Sequence, residues 1–327
     1  MFYELAKPDV AEVERYIASV LEPEQKEVYG MLLPYIMRGG KRMRPMLAIL
    51  SCRAVGGDPK AVIKPAGIIE MFHNFSLIHD DIADSSQFRR GEPTLHVSHG
   101  TPIALNSGDA LYTLLLKELV GLDMPRAKHL ELQRRYIATF KQVVEGQGAE
   151  LAWERSGRFD VSEDEYLAMV NGKTSALIGL SCEMGAYMCG APKRVCSRMA
   201  RFGQKVGAAF QIHDDVLNVT GSFEKYKKEI GGDVTEGKRT LMVIHCLKHC
   251  DAAEGDRIRG ILKGHSARKE DIDCVISSFQ KHGSVEYAHG ISARLVDEAR
   301  SEISKLDASE AREALLALCD YAISRDT

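Results

Sequence analysis

The chain has 327 residues, 45% hydrophobic and 27% charged, with a formal net charge of −3. That balance excludes a disordered or collagen-like chain, and it gives no global pull toward nucleic acid or an anionic membrane surface, so any basic chemistry must be local. The length suits one large core or two ordinary domains, and no run of about 18 apolar residues is present to span a bilayer.

The opening stretch, MFYELAKPDVAEVERYI, carries acids early and no long apolar run, so it is not expected to be a signal peptide. Val10, Val13, Ile17 and Leu21 recur at three- and four-residue steps and predict an amphipathic helix. Residues 39–45 read GGKRMRP. Lys41, Arg42 and Arg44 cluster there between two apolar helices, glycines permit a tight turn, and Arg suits bidentate capture of an anion.

Residues 71–84, MFHNFSLIHDDIAD, end an apolar run on Asp80, Asp81 and Asp84. On a helix Asp80 and Asp84 share a face, with Asp81 at its flank. FRRGEPT follows at once and adds Arg89 and Arg90. Residues 174–190 and 203–219 are apolar on several faces, which predicts helices at the centre of a bundle. The second of these carries QIHDDVLN, where Gln211, Asp214 and Asn218 share a face and Asp215 flanks it. Lys173, Lys228 and Lys238 are isolated candidates; for each, a solvated surface lysine is the plainer reading. Ile272, Val275, Ile276 and Phe279 repeat the helical period near the end.

Strand-like alternation is scarce and no linker or shift in composition appears, so the expectation is one all-α domain over residues 1–327. That domain is a large bundle, and the two acidic runs hint at a loose internal symmetry. The eight cysteines form no CxxC pair and sit mostly in apolar helical surroundings. They read as small hydrophobes in a reduced, cytoplasmic chain. In HCLKHC, residues 245–250, both His–Cys pairs are adjacent residues that fan around a helix, so a zinc site is not expected.

Two acidic runs inside apolar segments are unlike solvated helix faces. Were the two helices to face each other, four or five carboxylates would meet, and like charges would repel. Hard divalent cations relieve that cost. Mg²⁺ takes one or two carboxylates and completes its octahedron with phosphate oxygens and water. The expected arrangement is two anion sites, one metal-mediated between aspartates and one direct through Lys and Arg. Two diphosphates bound in different ways suit a reaction that joins two diphosphate esters.

The segments GGKRMRP, MFHNFSLIHDDIAD, FRRGEPTLH, ALNSGDALY, GKTSALI, GAAFQIHDDVLNVTG and GGDVTEGKRTL resemble the isoprenyl diphosphate synthases. They appear in that family's order over roughly residues 30–250. The resemblance implies an all-α bundle around a central cavity, usually a homodimer. It implies that Asp80, Asp81 and Asp84, with Asp214, Asp215 and Asn218, hold about three Mg²⁺. Arg89, Lys173, Lys228 and Lys238 would contact the allylic diphosphate, and Gly40, Lys41, Arg44, His73 and Arg90 would hold isopentenyl diphosphate. Thr174 and Gln211 would sit beside the reacting carbons. No protein nucleophile or histidine base is required, so His79 and His213 are expected to be packed or to support the aspartates from behind.

Two departures stand out. Asn218 replaces the aspartate common in the second motif, and the C-terminal SRDT lacks a basic tail. Phe75 lies five residues before Asp80, roughly 7–8 Å down the helix, and Phe72 roughly 12 Å down. Small Ser76 stands beside Phe75, and the resemblance implies that an aromatic at that position with no insertion in the motif gives a C20 product, geranylgeranyl diphosphate. C15 and C25 are the neighbouring alternatives. Other readings fit less well. A terpene cyclase needs a different second metal motif from Asp214, Asn218 and Ser222, and an inert partner subunit would have lost aspartates. A non-catalytic metal bundle would not need the Lys and Arg groups.

Overall fold

The computed structural model describes residues 2–22, 24–221 and 231–324. Helices make up nearly all of it, so the all-α expectation holds. The stripe Val10, Val13, Ile17 and Leu21 is the buried side of α1 (Phe2–Leu21). Two short turns, α2 (Lys26–Tyr29) and α3 (Leu32–Met37), lead to the basic loop, and α4 (Met43–Ala54) begins directly after Arg42. α5 (Ile63–Ala83) is buried along most of its length and ends at the first acidic run.

A two-residue hairpin follows, pairing β1 (Phe88–Arg89) with β2 (Glu92–Pro93) in antiparallel register. Arg90 and Gly91 both have positive φ, 56° and 79°. That combination is what a tight turn matching the strand twist requires. Then come α6 (Leu95–His99), α7 (Thr101–Val120), the long α8 (Arg126–Ser156) and α9 (Glu163–Val170). Ser162 and Glu165 form a reciprocal capping box at the start of α9. A single π-turn, Asn171–Ser175, joins α9 to α10 (Ala176–Met188). α11 (Lys193–Thr220) carries the second acidic run at its C-terminal end. The rest is α12 (Gly232–Thr235), α13 (Leu241–His249), α14 (Ala252–Lys263), α15 (Lys269–Lys281), α16 (Ser284–Ile303) and α17 (Glu310–Ser324).

The chain divides into two compact units. One comprises Met1–Phe140, Leu177–Ala200 and Leu306–Leu315; the other comprises Lys141–Ala176, Arg201–Lys305 and Leu316–Thr327. In the first unit α5 packs along α7, α1 and α4. Gly108 of α7 lets the helices close up there, since a Cβ would stand 2.4 Å from His79 Nε2. The second unit builds a core from Trp153, Tyr166, Ile212, Val216, Leu262 and Phe279, among others.

One expectation is corrected. Cys52 at the end of α4 and Cys189 just past α10 form a disulfide with Cα atoms 6.1 Å apart, an ordinary span for such a bond. These two cysteines are therefore paired, and the other six form no disulfide. No helix among the described residues is long and apolar enough to cross a membrane.

Candidate active site

In the first unit the apolar residues of α5 bury its body, so its last turn delivers Asp80 and Asp81 at a fixed place. Asp84 is the C-cap; its N–H donates to the Asp80 carbonyl, which keeps it one turn further along on the same face. Asp81 is 1% exposed and both its oxygens are engaged. Oδ2 accepts from the Tyr35 hydroxyl at 3.1 Å, and Oδ1 accepts from Arg89 Nε at 2.8 Å and from Arg89 Nη2. Arg89 Nη2 also lies 3.9 Å from Asp80 Oδ2. Burial pushes the Asp81 carboxyl up, and Arg89 and Tyr35 pull the other way. Burial also pushes the Tyr35 hydroxyl up, with the Asp81 charge adding to it, so Tyr35 remains a donor. Asp80 and Asp84, one turn apart, thus stand beside an aspartate bonded to Arg89 and Tyr35.

The basic loop lies in the same unit. Gly39 and Gly40 have φ of 99° and 107°. A Cβ on Gly40 would come within 2.8 Å of Arg90 Cζ, so glycine is needed there for both conformation and space. Arg90 Nη1 donates to the Gly39 carbonyl at 2.6 Å, which ties the hairpin to the loop. Lys41 is exposed. Arg42 turns inward and is spent on structure, donating to the carbonyls of Ile36 and Gly39 and to Glu14. His73 lies half-buried among these arginines. Burial, then the charges of Arg44, Arg90, Arg89 and Arg42, hold it well below the usual imidazole range, so it is neutral.

In the second unit α11 presents Gln211, Asp214 and Asp215 in consecutive turns. Asp215 is buried; its Oδ2 accepts from the Tyr166 hydroxyl at 2.7 Å and its Oδ1 from Gln211 Nε2 at 2.9 Å. Burial raises its pKa to about 8, and the nearby Asp233 and Asp214 charges add to the rise against Gln211 and Tyr166. The π-turn re-aims its side chains. Thr174 Oγ1 donates to Gln211 Oε1 at 3.1 Å, and Lys173 Nζ meets Glu150 at 2.5 Å. Gly146 of α8 makes that turn possible, because a Cβ would strike the Lys173 nitrogen at 2.3 Å. Such local bulges recur at functional sites.

Asn218 is buried, and its Oδ1 accepts from the Asp233 backbone N–H at 3.0 Å. Its carbonyl oxygen therefore braces the GGD loop. Lys238 lies 3.5 Å from Asp233 and also pairs with Glu236. Burial would lower Lys238, but Asp233, Glu236 and Glu150 win and hold it well above the usual range. Lys228 falls outside the described residues.

The structure adds residues that sequence reasoning missed. Tyr35 and Tyr166 each donate to the second aspartate of a pair, and Asp233, Glu150 and Glu70 are further carboxylates. Phe72 is fully buried and stacks on Phe140 at 3.8 Å. Phe75 is half-buried between His79 at 4.6 Å and Tyr112 at 4.9 Å. Ser76 Oγ donates to the His73 carbonyl. His213 is buried with its ring 5.8 Å from that of His289.

Each carboxylate set is all-oxygen and free of soft ligands, which suits a hard cation such as Mg²⁺. Among the described residues no three His, Cys, Asp or Glu side chains gather into a metal cage. Phosphate oxygens and water would have to complete the coordination.

Residues 25–279 match the polyprenyl synthetase family. The chain is 38% identical over 292 residues to the short chain isoprenyl diphosphate synthase of Methanothermobacter thermautotrophicus, covering 89% of this chain and 88% of that one. It is 34% identical to the geranylgeranyl pyrophosphate synthase of Geoglobus acetivorans over the full length of both. The crystal structure of geranylgeranyl pyrophosphate synthetase from Pyrococcus horikoshii superposes with a TM-score of 0.93 at 31% identity, covering 99% of this chain and 98% of that one.

Proposed function

The chain belongs to the polyprenyl synthetase family, and from that premise we propose that it condenses isopentenyl diphosphate head to tail with an allylic diphosphate. The product is a trans-polyprenyl diphosphate, geranylgeranyl diphosphate being the length its relatives favour. The observation that carries the reading is that the two DD pairs are built alike. In each, the second aspartate is buried, takes a tyrosine hydroxyl on Oδ2, and is bound on Oδ1 by a second side chain.

When bound, Mg²⁺, about three ions per site, supplies electrostatic stabilisation of the departing diphosphate. Asp80 and Asp84 in one set and Asp214 in the other would hold it. Asp81 and Asp215 position Arg89 and Gln211. Arg89, Lys173, Lys228 and Lys238 neutralise the allylic diphosphate as its C–O bond breaks and the electron pair leaves with oxygen. The Gln211 and Thr174 dipoles face the resulting cation without offering a nucleophile. The isopentenyl double bond, held through Gly40, Lys41, Arg44, His73 and Arg90, attacks that carbon. The proton lost in re-forming a double bond goes to the diphosphate.

The proposed reaction needs both carboxylate sets. Replacing Asp80 or Asp214 by Ala tests this. Each change alone should cut kcat by about a thousandfold or more, since each removes charge stabilisation needed in the transition state. Retention of near-normal kcat in either variant would remove that residue's carboxylate set from the reaction.

We also infer a homodimer. On α8, Leu130, Ile137, Val144 and Leu151 recur at seven-residue steps and are 48%, 57%, 59% and 37% exposed. A straight seam of this period is what a second helix covers, and a second copy of the chain supplies one by symmetry. Sedimentation of Ile137→Glu should show monomers; a monomeric wild type would refute the inference.

A further inference from the structure

Glu70 is a buried carboxylate that the proposed reaction does not use. It sits on α5, ten residues before Asp80, and is 2% exposed. Its surroundings are cationic. Arg42 Nη1 lies 3.5 Å from its Oε1; burial pushes the Glu70 carboxyl up, and the charges of Arg42, Arg44 and Arg90 offset part of that rise. Asn74 Nδ2 donates to the Glu70 carbonyl at 2.8 Å and approaches Oε1 at 3.4 Å. Three guanidinium charges thus act on one carboxylate, and the half-exposed Glu14 also accepts from Arg42. Both Arg42 and Arg90 also donate to the same acceptor, the Gly39 carbonyl. Arg44 Nε is buried and finds no hydrogen-bond acceptor among the described residues.

Buried like charges repel unless a counter-charge holds them. Arg42 moreover adopts a left-handed conformation, φ 44°, that a non-glycine residue keeps only where its surroundings hold it. We propose that Glu70 is a positioning residue for the isopentenyl diphosphate site: it draws Arg42, Arg44 and Arg90 into one array and leaves that array with a cationic surplus and an open donor for the incoming diphosphate. This rests on the reaction proposed above. The cluster also holds no metal ligand, so its anion affinity is separable from the metal-dependent chemistry.

The test uses Glu70→Gln, which keeps shape and removes charge. With the full chain in EDTA, inorganic diphosphate binding is measured by calorimetry. In Mg²⁺, KM for each substrate and kcat are measured. The expectation is that binding in EDTA weakens about tenfold, that KM for isopentenyl diphosphate rises about as much, and that KM for the allylic substrate and kcat stay within about threefold. Glu70→Asp, which restores the charge one methylene further back, should recover part of the loss and keep a smaller, selective rise in the isopentenyl KM. If Glu70→Gln does not fold, Glu70→Asp alone carries the test, because its one-methylene retraction should still raise the isopentenyl KM selectively.

Tighter diphosphate binding in Glu70→Gln would show that Glu70 competes with the ligand instead of positioning its site, and would overturn the proposal. An equal loss on both substrates, or in kcat alone, would do the same. Failure of the wild type to bind diphosphate in EDTA would remove the anion site itself. Intact binding without any elongation would instead refute the proposed reaction while leaving the role of Glu70 standing.

Discussion

Replacing Phe75 by Ala should lengthen the product by one five-carbon unit. The product tail is proposed to run down α5 from Asp80, and Phe75 is the first ring it meets, braced by Tyr112 at 4.9 Å and Phe72 at 5.4 Å. Removing that ring drops the floor to Phe72, three residues further, about 4.5 Å along the helix. One isoprenoid unit adds four chain bonds of ~1.5 Å, roughly 5 Å when extended, so the space gained is one unit. Phe72 is fully buried and stacked on Phe140, so it forms the next stop. The cost in stability should be about 2 kcal/mol, below the range for a fully buried Phe→Ala change because Phe75 is half-buried. Chromatography of the dephosphorylated alcohols should move from C20 to C25, and Phe72→Ala added to Phe75→Ala should move it further. A folded, active Phe75→Ala enzyme that still stops at C20 would refute the ring as the floor.

Three more expectations follow from the geometry. Tyr35→Phe and Tyr166→Phe each remove a hydrogen bond to a carboxylate, worth about 1.5–3 kcal/mol; each should raise the Mg²⁺ concentration for half-maximal rate, and an unchanged titration would count against both roles. Asp215, raised to about 8 in the folded metal-free chain, binds a proton there that the unfolded chain releases near pH 4. Its contribution to stability therefore falls as pH rises from about 4 to about 8; the melting temperature in EDTA should drop over that window and Asp215→Asn should flatten the drop. Reducing Cys52–Cys189, which closes a loop of sequence separation 137, should lower stability by up to about 4–5 kcal/mol and leave the condensation rate unchanged; a thermal melt with and without dithiothreitol decides it.

The helical class and the acidic runs were legible because period and spacing are local. Val10 to Leu21 form one buried stripe, and Asp80 to Asp84 span one turn. FRRGEPT stood out for its two arginines, and the structure makes it a hairpin. What escaped is non-local. Tyr35 reaches Asp81 across 46 residues and Tyr166 reaches Asp215 across 49, and nothing about an isolated tyrosine in an apolar helix announces its partner. Arg42 reads as one more cation of the basic loop, yet its left-handed backbone turns it toward Glu70 and Glu14. Asp233 had a visible signal in the GGD run before Lys238, because an acid between tight glycines and a lysine is seldom idle. The side-chain oxygen of Asn218 accepts from the Asp233 backbone, a contact that only the fold of residues 231–235 creates and that spacing does not announce.

The most direct measurement is an elongation assay with the purified chain, Mg²⁺, labelled isopentenyl diphosphate and C5, C10 or C15 allylic diphosphates, followed by sizing of the released alcohols. All three primers should give a C20 alcohol, and EDTA should abolish it. No labelled product longer than the primer, with any of the three, would contradict the account.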